Sequence, residues 1–151
     1  MDSTNLILDS LQKEDFYRGF LQLLEQLTVV EIDKISYENF CKQFDQLQSK
    51  VIVIRDKNKN NKVIATASIF IEKKFIHNLS SVGHIEDVVV DKEVRGKNLG
   101  KILIEELVRI SKLNFCYKIL LDCQKNNVDF YEKCGFSQKG VEMSYYLPSR
   151  L

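Results

Sequence analysis

The segment from Glu86 to Ile102 constrains this chain more than any other. Two acids lead into the apolar run Val88-Val89-Val90, and the tight basic loop Arg95-Gly96-Lys97-Asn98-Leu99-Gly100 opens into a helix start at Lys101-Ile102. A strand that ends in such a loop builds a phosphate cradle. Backbone N–H groups at a helix N-terminus converge on an anion, Gly96 and Gly100 admit it without a Cβ clash, and Arg95 and Lys97 add positive charge. Leu99, Leu103, Leu107, Ile110 and Leu113 then fall on one stripe, so the helix docks on a sheet.

At 151 residues and 44% hydrophobic content, the chain is expected to form one compact domain over 1–151 with a sizeable core. Its 22 basic and 21 acidic residues leave a net charge of +1, which points away from a nucleic-acid or polybasic membrane partner. No stretch approaches the roughly 18 apolar residues of a membrane span, and the N-terminus has no export pattern, so a soluble, cytoplasmic protein is expected. Cys41, Cys116, Cys123 and Cys134 read as reduced thiols. With no C-x-x-C pair, and His77 and His84 seven apart, no metal site is expected.

Along the chain, Leu6-Ile7-Leu8 reads as a strand, and Asp9 or Ser10 as the N-cap of a helix carrying Phe16, Phe20, Leu23, Leu24 and Leu27. Ser36-x-x-Asn39 opens a second helix with Tyr37, Phe40, Phe44 and Leu47. Lys50–Arg55 and Val63–Ile71 form a hairpin, the second strand reaching toward Phe75, and Gly83–Val90 returns to the cradle. Lys118–Asp122 is expected as a short buried strand, Asn127–Cys134 as a helix stopped by Gly135, and Val141–Leu147 as a last strand before Pro148. The result is an α/β (α+β) chain with a central mixed sheet and helices on both faces.

The cradle loop resembles the acyl-CoA pyrophosphate loop of the GNAT N-acetyltransferases. Gly83–Val90, Cys116–Cys123 and the Asn127-x-x-Phe130-Tyr131-Glu132-Lys133-Cys134-Gly135-Phe136 stretch are similar to the glucosamine 6-phosphate N-acetyltransferases within that superfamily. The resemblance runs nearly end to end. It implies a GNAT fold with a mostly antiparallel sheet, acetyl-CoA as co-substrate, glucosamine 6-phosphate as acceptor on the route to UDP-N-acetylglucosamine, and a homodimer with active sites near the subunit interface. Two positions depart from the family pattern. Asn98 replaces the first loop glycine, and Asn is the residue most tolerant of positive φ after glycine. Ser144, Tyr145 and Tyr146 stand where the family carries an arginine that reaches substrate phosphate across the dimer, and the next arginine is Arg150.

Acetyl transfer needs an unprotonated amine, a polarised thioester carbonyl and a proton for the departing thiolate. Glu86 and Asp87 point to opposite faces of a regular strand unless a bulge redirects them, and a bulge frees N–H groups near Glu86–Val88 to bind pantetheine and polarise the thioester. Asp122, at a strand end, is placed to orient an amine and take its proton, or else to make a turn or N-cap. The Tyr131 hydroxyl is placed to protonate the leaving thiolate, or the ring packs beside Phe130. The resemblance assigns catalysis to Glu86, Asp87, Asp122 and Tyr131, and CoA binding to Val88, Val90, Arg95, Gly96, Lys97, Asn98, Leu99, Gly100, Lys101, Asn127, Tyr131 and Lys133. It gives the sugar phosphate to Thr28, Lys74 and His77, beside Glu86, Asp87 and Asp122. Lys133 reads equally as a solvated helix residue, and a basic turn such as that of Lys74 and His77 is usually solvated surface. A peptide N-acetyltransferase and a non-catalytic acyl-CoA-binding module are the alternatives.

Overall fold

The computed structural model describes residues 5–148 and divides into two compact units, Met1–Leu121 and Asp122–Leu151. In the first, five strands follow chain order across one sheet: β1 (Leu6–Ser10), β2 (Lys50–Asp56), β3 (Lys62–Lys73), β4 (Ser81–Val90) and β5 (Cys116–Leu120). The first four pair antiparallel, and β5 joins β4 in parallel after a helical crossover. The mixed, mostly antiparallel sheet expected above is therefore present. Residues 63–69 of β3 are buried without alternation, which requires cover on both faces. One face packs Val53, Val63 and Val89 against Phe20, Leu21 and Leu23 of α1 (Phe20–Leu24) and Phe40 of α2 (Tyr37–Gln46). The crossover helix α3 (Leu99–Leu113) buries Leu99, Leu103, Ile104, Leu107 and Ile110; Leu113, at its end, is exposed.

The expected first helix is interrupted. Asp9 and Ser10 belong to β1, Lys13–Arg18 is a 3₁₀ turn, and Gly19 at φ +84 separates it from the short α1. Tertiary ion pairing holds the turn in place of helix propagation. The carboxylate of Asp15, fully buried, accepts from Arg55 Nε at 2.7 Å and Nη2 at 2.6 Å, and from the Gln12 N–H at 2.8 Å. Arg55 also donates to Asp9 at 3.0 Å and to the Ser10 carbonyl at 3.1 Å, which ties β1, the turn and β2 together. The second helix begins where expected, with Ser36 Oγ accepting from the Asn39 N–H at 3.2 Å.

Two strand expectations need correction. Cys116–Leu120 is an edge strand, mostly exposed on its free side, so Asp122 follows a strand end that is not buried. Val141–Leu147 forms no strand in the structure, because no sheet edge pairs with it among the described residues. The second unit holds a 3₁₀ turn, Lys125–Asn127, and α4 (Val128–Lys133).

Burial alone would raise the Asp15 carboxyl, but Arg55, the Gln12 N–H and Arg18 outweigh it and hold the group below the usual carboxylate range. A depressed folded-state value adds stability above the unfolded carboxylate pKa, and that stability is lost as pH falls through the folded value. The wild-type unfolding free energy should therefore fall below about pH 4. Asp15→Ala, which strands Arg55 in the interior, should cost about 3–5 kcal/mol in urea denaturation at pH 7 and flatten that acid limb. A Cβ on Gly83 would lie 2.9 Å from Ser111 Oγ and 3.0 Å from Ile69 Cδ1, between β4 and α3. Gly83→Ala should cost about 1–3 kcal/mol by the same assay.

Candidate active site

The β3–β4 ladder loses register between Thr66 and Ser68: Thr66 faces Val89, whereas Ser68 faces Glu86. Asp87 and Val88 therefore oppose Ala67 alone, which is a bulge. Asp87 takes φ +52, a conformation that Asp tolerates better than β-branched residues, and Ser68 Oγ donates to the Glu86 carbonyl at 3.2 Å. The bulge breaks strict alternation, and both Glu86 and Asp87 reach the surface. It is the redirection expected of this acidic pair.

On the other side of β4, pairing with β5 runs only from Ser81 to His84. From Ile85 to Val90 the strand is held by β3 alone among the described residues, so β4 presents unladdered backbone groups where the two strands part. That edge leads into the cradle. Lys92–Val94 forms one 3₁₀ turn, Gly96 and Asn98 adopt φ +82 and +60, and α3 starts at Leu99. Asn98 takes the left-handed geometry that its replacement of glycine required. Its side chain makes no cap, so the first-turn N–H groups of α3 face outward with the exposed Arg95 and Lys97 beside them. Arg95 Nε donates to the Val90 carbonyl at 3.2 Å, which fixes the guanidinium at the strand end. Asp91 underpins the turn by accepting from the Glu93 N–H at 3.1 Å and from Lys62 at 2.9 Å. This arrangement fits a pyrophosphate followed by an extended amide chain along β4.

Thr28 lies just past α1, two residues after Gln26, whose side chain accepts the Lys92 N–H at 2.9 Å. It therefore sits at the cradle end of β4. Lys74 and His77 sit at the other end, where β3 turns into β4, separated by roughly 30 Å of strand. One chain does not bring these three residues together. Lys74 is ion-paired to Glu72, which also meets His84 Nε2 at 2.9 Å, and the two partners lower the Glu72 carboxyl. Sequence reasoning missed Glu72 as the partner of Lys74. Alternation along β3 and β4, which pairs Glu72 with Val82 two residues from His84, was the available signal. His77, at φ +50, stacks on Tyr117 with ring centroids 4.0 Å apart.

In the second unit, Asp122 and Asn127 are exposed and Lys133 ends α4. Tyr131 packs edge-on to Phe130 at 5.0 Å and Phe136 at 6.1 Å. Burial, with Cys123 and Cys134 adding to it, pushes its phenol up to about 12, which keeps the proton on oxygen throughout the physiological range.

The Acetyltransferase (GNAT) family model matches residues 11–136. The chain belongs to the GNAT acetyltransferase family. It is 46% identical over 143 residues to glucosamine 6-phosphate N-acetyltransferase 1 of Dictyostelium discoideum, covering 92% of this chain and 89% of the relative. It is 44% identical over 140 residues to the glucosamine 6-phosphate N-acetyltransferase of Arabidopsis thaliana, with 90% and 93% covered. The crystal structure of the Arabidopsis enzyme superposes with a TM-score of 0.90 at 41% identity, over 95% of this chain and 99% of that one. The bulge, the parted strands and the cradle are thus parts of a GNAT fold, and this family uses acetyl-CoA as co-substrate.

A branched side chain at Gly96 disfavours its φ of +82. Gly96→Val should weaken acetyl-CoA binding at least about tenfold by calorimetry, with little change in melting temperature.

Proposed function

We propose that this chain transfers acetyl from acetyl-CoA to the 2-amino group of glucosamine 6-phosphate, for UDP-N-acetylglucosamine synthesis. The near full-length likeness to two enzymes named for that reaction carries the reading, with the bulge and cradle supplying the means. Residues Arg95–Lys101 hold the pyrophosphate, Val88 and Val90 pair with pantetheine, and Asn127 and Lys133 bind the remainder of CoA. Freed N–H groups at the bulge polarise the thioester oxygen. Glu86, Asp87 and Asp122 orient the sugar amine and receive its proton, the amine nitrogen bonds to the carbonyl carbon, and the C–S bond breaks. Tyr131, which keeps its proton until the thiolate forms, then gives it to the sulfur.

The working unit is a homodimer. Phe75 is 95% exposed, Phe115 82% and Leu79 72%, a cluster at one end of the sheet beside the edge strand β5, of the kind a partner covers. A second copy there would also offer its Lys74 and His77 to a site that has Thr28 in the first, which answers their separation within one chain. All of 1–151 acts as one catalytic domain in this reading. The cytoplasm suits the free thiols of Cys41, Cys116 and Cys123, and burial raises the Cys116 thiol against oxidation.

Release of CoA by the purified protein is the test. Turnover with glucosamine 6-phosphate should exceed that with glucosamine or with peptides. Tyr131→Phe should lower kcat by about a hundredfold while leaving the acetyl-CoA Kd in place. Peptide-only turnover, or CoA binding with no acceptor used, overturns the reading.

A further inference from the structure

Beneath α1 and α2 lies a chamber of about 480 Å³ that shares only Asp87 with the acceptor chemistry proposed above. Its floor is the bulge itself, formed by Thr66, Ala67, Ser68 and Asp87. Its walls are mostly apolar: Phe20, Leu21 and Leu24 from α1, Phe40 and Phe44 from α2, and Leu47 just past the end of α2. Three of its polar groups are engaged elsewhere, while Asn39, Gln43, Ser49 and Asp87 line it as well. Thr66 Oγ donates to the Ile52 carbonyl at 2.8 Å, Ser68 Oγ to the Glu86 carbonyl at 3.2 Å, and Lys34 is paired with Glu31 at 2.7 Å. A sugar phosphate needs cations and directed hydrogen bonds, whereas this mostly apolar lining suits a hydrocarbon.

We propose that the chamber is an acyl-chain pocket, and that the enzyme transfers straight-chain acyl groups longer than acetyl from their CoA thioesters. This rests on the acyl-transfer reading above. The bulge that polarises the thioester carbonyl forms the chamber floor, so the carbon chain beyond that carbonyl enters the space under α1. With about 30 Å³ per methylene, as for a water molecule in the liquid, the four extra methylenes of hexanoyl fill roughly 120 Å³ of it. The chemistry is unchanged by chain length. The amine nitrogen bonds to the acyl carbon and loses a proton to a carboxylate, the C–S bond breaks, and the CoA thiolate takes a proton. The products are N-acylglucosamine 6-phosphate and CoA.

The test compares acetyl-, propionyl-, butyryl- and hexanoyl-CoA as donors to glucosamine 6-phosphate, scored as kcat/KM by thiol release from the full chain. A pocket closed around acetyl would reject each added methylene by about ten- to two-hundredfold. The open chamber should instead hold butyryl-CoA within about tenfold of acetyl-CoA, with hexanoyl-CoA binding several-fold more tightly than acetyl-CoA in calorimetry. Leu24→Trp, which fills the chamber from α1, should abolish hexanoyl transfer and leave acetyl transfer within about threefold. Leu47→Trp offers the same readout from the opposite wall. Normal acetyl transfer with butyryl and hexanoyl donors both reduced a hundredfold or more overturns the pocket and leaves the proposed function standing. Absence of turnover with every donor overturns the proposed function, and the binding ratio then decides the chamber: hexanoyl-CoA no tighter than acetyl-CoA rejects it.

Discussion

The site depends on one residue too many in β4. Because Asp87 and Val88 share a single partner in Ala67, the strand bends midway and its later half diverges from β5, with which it pairs only as far as His84. A regular β4 would have buried one of the two acids against a helix and left no unladdered edge leading to the cradle. The bulge is held by a left-handed Asp87, by the Ser68 bond to the Glu86 carbonyl, and by the continuation of pairing at Thr66 and Val89. All of these contacts lie on the β3 side. The other side of β4 has no partner strand beyond His84 among the described residues, and the strand runs straight into the cradle loop.

The α1–α2 cover depends in turn on ion pairing. A turn as short as Lys13–Arg18 followed by a five-residue helix has little intrinsic stability. Asp15 and Arg55 fasten it to β2 from inside, with Asp9 and the Ser10 carbonyl completing the guanidinium's partners. The charges are mutually satisfied, so their burial is tolerated, and removal of either leaves the other uncompensated. This anchor fixes where α1 crosses the sheet, and so fixes the roof of the chamber above the bulge.

Much of this was legible in local sequence. The cradle could be read because its glycines, basic residues and helix stripe are contiguous, and Asn98 could be accepted because its φ preference is a property of the residue itself. The two acids before Val88 left a bulge open as the alternative to a regular strand, since burying an unpaired carboxylate on a covered sheet face is costly. What escaped was nonlocal. The apolar spacing from Phe16 to Leu27 is helical, yet Gly19 and the distant Arg55 divide it, and periodicity carries no information about a partner 40 residues away. The residues Val141–Leu147 alternate as a strand does, but a strand exists only where an edge accepts it. Arg150 lies outside the described residues.

Recognition of a phosphorylated sugar is where local chemistry runs thinnest. A phosphate dianion is held best by bidentate arginine or by several donors converging from different elements. Lys74 cannot act as a bare cation within its own chain, since Glu72 already neutralises it and also engages His84. His77 spends its ring face on Tyr117, which orients the imidazole. The same turn carries three consecutive left-handed residues, His77, Asn78 and Leu79, none of them glycine. Such backbone is held by its surroundings rather than by residue preference, and here the neighbouring Phe75 and Leu79 side chains are still exposed. A partner that buried those two side chains would supply the missing restraint, and would fix the position of His77 in the same step.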